Sequence, residues 1–156
     1  MNRNLLIIPL LAAVLVLVFP FVMFYGDHIM VTTTTSMLPV LKPNDMIVVE
    51  KSSATQINEG DIIAFDSHME MGIVAHRAIA IYDNHGELAI DTKGDNNEHE
   101  DRWFVTDDSL IGKVKNIVPG FGILLVGPVR YSLVAVIIIS SLAILKDHLT
   151  EKKNKL

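Results

Sequence analysis

The feature that most restricts this chain is an uncharged apolar run at residues 5–25, 21 residues long. About 20 helical residues, rising roughly 1.5 Å each, cross a hydrocarbon core about 30 Å thick. The run is therefore expected to be a membrane-spanning helix. Pro9 and Pro20 fall near its ends, where a lost backbone hydrogen bond is easier to satisfy than at mid-membrane. A cleaved signal peptide has a shorter apolar core and ends in small residues. Here Phe21, Val22, Met23, Phe24 and Tyr25 are bulky, so the segment reads as a retained anchor.

A second apolar segment, residues 123–145, contains Gly127, Pro128 and Arg130. Its longest charge-free stretch, 131–145, falls short of a full span. Snorkelling of Arg130 to the interface would draw part of 123–129 into the membrane. A second span is expected, with a surface-lying helix as the alternative. Arg3 precedes the first segment, and Lys146, Lys152, Lys153 and Lys155 follow the second. Basic flanks favour the cytoplasmic side. The division expected is a cytoplasmic N-terminus (1–4), an anchor (5–25), an extracytoplasmic domain (26–119), a second helix (123–145) and a basic cytoplasmic tail (146–156).

The middle segment carries 7 Lys or Arg against 16 Asp or Glu, a formal net charge of −9. An acidic domain speaks against nucleic acid as a partner. The absence of cysteine removes disulfides, thiolate nucleophiles and Cys-based zinc sites.

Short strand patterns at 45–50, 62–65, 73–82, 87–91 and 110–117 alternate with Asn58-Glu59-Gly60-Asp61, Asp83-Asn84-His85-Gly86 and Lys93-Gly94-Asp95-Asn96-Asn97. This spacing predicts a mainly β domain, antiparallel and partly closed. Along 73–82 a period of two sets Ile73, Ala75, Arg77, Ile79 and Ile81 on one face. His76 lies on the other, among Val74, Ala78, Ala80 and Tyr82.

Nucleophilic hydrolysis needs a hydroxyl, a base within reach and a group that orients the base. Ser36 stands between four threonines and Met37-Leu38-Pro39; in isolation it reads as part of a polar linker. His76 alone reads as a partly buried, backbone-satisfied histidine. The cluster Asp91, Asp95, Glu98, Glu100 and Asp101 reads as a solvated loop. Oxygen ligands at this density suit calcium, but the glycine and terminal glutamate of an EF-hand are missing.

Taken in order, these segments say more. The chain resembles the type I signal peptidase family, in its archaeal and endoplasmic-reticulum branch. The resemblance rests on Ser36-Met37-Leu38-Pro39, Gly60-Asp61-Ile62-Ile63, Val74-Ala75-His76-Arg77, and Thr92-Lys93-Gly94-Asp95-Asn96-Asn97 with Asp101 beyond, and covers about residues 30–117. Bacterial members carry lysine where His76 stands. An imidazole, with an ordinary pKa near ~6.5, accepts a serine proton near neutral pH without the desolvation a lysine base requires.

The resemblance implies Ser36 as nucleophile, His76 as general base, Asp101 as the orienting acid and Asp95 as a neighbour that fixes the loop or the charge of the site. It also implies an oxyanion bound by the Ser36 amide, with Thr34 as second donor; the sequence carries no cofactor motif, so neither cofactor nor metal is expected. The four threonines then read as an extended strand leading to Ser36. The implied activity is removal of signal peptides after small-x-small sites, with secretory preproteins, the bilayer and secretion-complex subunits as partners. The membrane would be the plasma membrane in an archaeon and the endoplasmic reticulum in a eukaryote. Met30 and Val31 read first as interfacial anchors and second, with Met37, as pocket residues. The competing class is a membrane-tethered β-domain that binds peptides or scaffolds a secretion complex without catalysis.

Overall fold

The computed structural model describes residues 3–23, 28–67 and 72–154. Its contacts divide the chain into two units, one of residues 1–23 and 123–156 and the other of residues 24–122.

The larger unit is built on one antiparallel sheet of seven strands: β1 (His28–Val31), β2 (Met46–Glu50), β3 (Ile62–Asp66), β4 (Ile73–Asn84), β5 (Glu87–Lys93), β6 (Phe104–Val105) and β7 (Leu110–Val118). Their order is β1-β2-β7-β3-β4-β5-β6, an open half-barrel whose edges are β1 and β6. Five of these strands fall where the alternation predicts them. The two edge strands were not expected: β6 is two residues long, and β1 shows no apolar-polar alternation. At the β4–β5 hairpin His85 and Gly86 both have positive φ, 58° and 92°, which makes the two-residue turn whose twist matches the flanking strands. Asp83 Oδ1 accepts the Gly86 N–H at 2.7 Å.

Apolar residues cover both faces of the central strands. One cluster holds Ile63, Phe65, Ala78, Ile90 and Val105, with Ala54 and Ile57 from a connecting 3-10 turn and its edge. The other holds Met37, Leu41, Ile47, Val49 and Ala64. Along β3 the period of two sends Ile63 and Phe65 to the first cluster and Ala64 to the second. The same rule, carried along β4, needs a correction at Ile81, which packs on the first cluster with Val74 rather than on the face of Ala75. The β4–β5 register shifts between Ala78 and Ala80, and a one-residue irregularity exchanges the two faces for everything beyond it.

In the smaller unit α1 (Arg3–Met23) continues through Pro9 and Pro20, and α1 packs on α3 (Gly127–Asn154). Positions 24 and 25 of the expected anchor lie outside the described residues. Among the described residues of these helices, Ala13 and Ser140 are buried. The second apolar segment is not one helix over 123–145. A short helix α2 (Gly122–Leu125) ends before Gly127-Pro128, and α3 then runs through the expected tail to Asn154. Proline has no N–H and a helix-compatible φ, so Pro128 fits the first turn of α3, where its N–H would have no intrahelical partner. Tyr131–Thr150 is long and apolar enough to cross a membrane, and α1 contributes the shorter apolar stretch Ile7–Val18. The side chain of Arg130, expected to snorkel, lies outside those described.

Candidate active site

Ser36 sits on the loop between β1 and β2. The loop is closed at its base by Thr32 N–H donating to Asp45 O at 2.9 Å and Asn44 N–H donating to Thr32 O at 2.8 Å. Asp45 is buried, and its carboxylate accepts from the Lys42 and Gly120 amides, both at 2.8 Å. Beyond Thr32 the chain leaves the sheet, so the threonines are not the strand expected of them; the strand is β1, directly before. Met37 and Leu41, 3% and 1% exposed, plug the loop into the second apolar cluster. The residue after Ser36 is thus an anchor in the core, which places the hydroxyl at the surface of a fixed turn.

The segment after β5 clamps that turn from the other side. Asn96 N–H donates to Ser36 O at 2.7 Å, and Asn96 Nδ2 donates to Thr35 O at 3.3 Å. A Cβ on Gly94 would lie 2.7 Å from Ser36 O and 2.7 Å from Asn97 Nδ2. Glycine is therefore required there for the close approach of two backbones.

β4 supplies the imidazole. His76, paired across the ladder with Ile63, is 6% exposed and has the Phe65 ring edge-on at 6.5 Å, so its surroundings are not the small residues alone. Its Nε2 lies 3.0 Å from Ser36 Oγ and its Nδ1 lies 2.6 Å from Asp101 Oδ2. A carboxylate can only accept, so Nδ1 carries the proton and Nε2 is left to accept from the serine hydroxyl. Thr34 Oγ1 is 3.2 Å from Ser36 Oγ.

Asp95 is placed elsewhere. Its two oxygens accept from Arg77 Nε at 2.7 Å and Nη2 at 2.6 Å, a bidentate pair, while Arg77 Nη1 donates to Gly60 O at 2.6 Å. The hydrogen bond to Asp95, against partial burial, raises the already high pKa of Arg77, so the arginine stays charged. Because Arg77 follows His76 on β4, it faces the opposite way and ties the Asp95 loop to the turn before β3. The four sequence boxes, far apart in the chain, are brought together from the β1–β2 loop, the start of β3, β4, and the end of β5 with the segment after it.

A cleft of about 740 Å³ opens over these groups, lined by Met30, Val31, Thr34, Ser36, Met37, Ala75, His76, Asp101 and Trp103 among others. Met30 and Val31, read first as interfacial anchors, are cleft residues, and Met30 packs on the second apolar cluster. Trp103, which sequence reasoning passed over, has a buried Nε1 without a partner among the described residues. Among those residues no group of three or more His, Asp or Glu side chains is placed to hold a metal ion.

The family model for Signal peptidase, peptidase S26, matches residues 3–91, more than half of the chain. The chain belongs to the signal peptidase family, peptidase S26. The matched region includes Ser36 and His76; Asp95 and Asp101 lie beyond it. The chain is also similar to the Signal peptidase complex catalytic subunit SEC11C of Rattus norvegicus, 27% identical over 122 residues, 69% of this chain and 63% of that protein. Its similarity to the SEC11C subunits of Canis lupus familiaris and Homo sapiens is 27% over 103 residues, 60% of this chain and 53% of theirs. It therefore spans less than two thirds of the length of these curated relatives. Its similarity to the SEC11C subunits agrees with the archaeal and endoplasmic-reticulum branch that its boxes resemble.

Proposed function

We propose that this peptidase S26 chain is a membrane-anchored serine endopeptidase that removes N-terminal signal peptides from secretory preproteins. The observation that carries the reading is the hydrogen-bonded series Ser36 Oγ, His76 Nε2, His76 Nδ1 and Asp101 Oδ2 at the floor of a partly apolar cleft.

In this reading His76 Nε2 takes the proton of Ser36 as Oγ attacks the scissile carbonyl, and the ring then gives that proton to the leaving amine. Water enters, loses a proton to Nε2 and attacks the acyl carbonyl; the bond to Ser36 Oγ breaks, Nε2 returns the proton to Oγ and the acid product leaves. Asp101 holds the ring with Nδ1–H inward and stabilises the imidazolium formed in each half-reaction. The Ser36 amide and the Thr34 hydroxyl donate to the oxyanion. Asp95 acts through Arg77 to hold the loop rather than the ring. Met30, Val31 and Ala75 leave shallow apolar space, which suits small residues before the cleaved bond.

The helices at the two ends cross the bilayer, with the basic flanks on the cytoplasmic side. The sheet then faces outward, where the end of a signal peptide's apolar segment emerges. Secretion-complex subunits are its proposed partners, and co-purification with the tagged chain tests them. Incubation of the chain with a preprotein in detergent tests the activity: cleavage is expected, and Ser36→Ala reduces it by at least about 10³-fold. Undiminished cleavage by Ser36→Ala, or none by the unaltered chain, rejects the reading in favour of a tethered β-domain that binds without catalysis.

A further inference from the structure

Thr92 is the penultimate residue of β5 and has no exposed surface. Its Oγ1 donates to Asp101 Oδ2 at 2.7 Å, and this is the same oxygen that lies 2.6 Å from His76 Nδ1. Its main-chain carbonyl accepts the Asp101 N–H at 2.9 Å. One residue of the sheet therefore holds both the backbone and the carboxylate of Asp101, which otherwise belongs to an irregular segment between β5 and β6. Across the ladder Thr92 faces Ala78, two residues along β4 from His76. The rigid β4–β5 pair thus fixes the ring and the carboxylate from neighbouring strands.

From this we infer that Thr92 is a positioning residue for the proposed peptidase reaction, acting through Asp101; the inference rests on the function proposed above. A hydroxyl that donates to Oδ2 defines the plane in which the carboxylate meets Nδ1. Without it, Oδ2 keeps a single donor, and the carboxylate can turn away from the ring in a site that tolerates little misplacement. A buried threonine hydroxyl must find an acceptor; here the acceptor is the one carboxylate that contacts the imidazole.

Four variants of the chain in detergent, assayed with a preprotein and normalised to folded protein, test this. Thr92→Val keeps the branched shape and loses the donor; its kcat is expected to fall roughly 10- to 100-fold with KM little changed. Thr92→Ser keeps the donor and loses a methyl group, and recovers most of the rate. A residue needed only for packing gives the reverse order, because valine fills the site better than serine. In an Asp101→Asn background Thr92→Val is expected to cause no further loss, as for groups that act as a unit. Wild-type turnover by Thr92→Val, or a Thr92→Ser variant as slow as Thr92→Val, overturns the inference while leaving the peptidase reading in place. No cleavage by the unaltered chain rejects both.

Discussion

Gly94 shows how a residue without a side chain can set the geometry of a reaction centre. Any Cβ at this position meets the carbonyl oxygen of Ser36 and the amide of Asn97 at 2.7 Å. The Ser36 carbonyl is backbone and is held by the Asn96 N–H, so it cannot yield alone. Gly94→Ala is therefore expected to lower preprotein cleavage by about 100-fold, the scale that a displacement of roughly 1 Å carries. The core strands would stay folded, so far-ultraviolet circular dichroism would be unchanged. Wild-type cleavage by this variant would mean that the contact between the two loops is not required. The two acids of the same segment divide in a related way: Asp101 meets the imidazole, and Asp95 meets Arg77. Their spacing in the chain does not show this division, because residues six apart in an irregular loop can point in any direction.

Strands and turns carry the site by their register. The box Gly60-Asp61-Ile62-Ile63 enters β3, and Ile63 pairs with both His76 on β4 and Lys113 on β7. Asp61 Oδ1 meets Lys113 Nζ at 2.8 Å. Burial alone would raise the Asp61 pKa, but the Lys113 and Asn58 hydrogen bonds outweigh it and hold the carboxyl below the ordinary carboxylate value of 3.8. A carboxyl depressed in the folded state adds stability above its unfolded pKa and loses it as pH falls through the folded value. Thermal midpoints of the wild type and Asp61→Asn are therefore expected to differ most near neutral pH and to converge below about pH 4. The lysine is partly exposed, so the difference corresponds to at most about 1 kcal/mol. A difference that persists unchanged to pH 3 would show that the pair does not contribute through charge. At this scale alternation located five strands, because half-buried strands of five or more residues repeat every two. It did not locate β1 or β6, which are too short for a period, nor the shift between Ala78 and Ala80, which depends on pairing with β5.

For the whole molecule, the proposed topology places the sheet on one side of a membrane and the end of α3 on the other. The chain has no cysteine, so a single introduced thiol reports one position. In sealed, right-side-out vesicles a membrane-impermeant maleimide is expected to label Lys51→Cys at once. It should label Lys153→Cys only after the vesicles are opened. Equal labelling of both before opening would overturn the two-span arrangement. The amino-acid sequence by itself determined the apolar ends, the mainly β middle and the motif order that marks the peptidase S26 family, because these depend on local composition, period and spacing. Only the tertiary structure decided that α3 starts at Gly127-Pro128 and runs on to Asn154, since helix ends depend on what the neighbouring chain can satisfy. It alone decided that Thr92 reaches Asp101, that Gly94 lies against Ser36, and that Arg77 takes Asp95 away from the imidazole. Those contacts join residues that are distant in sequence, and their directions are set by how the sheet is paired and how its loops close.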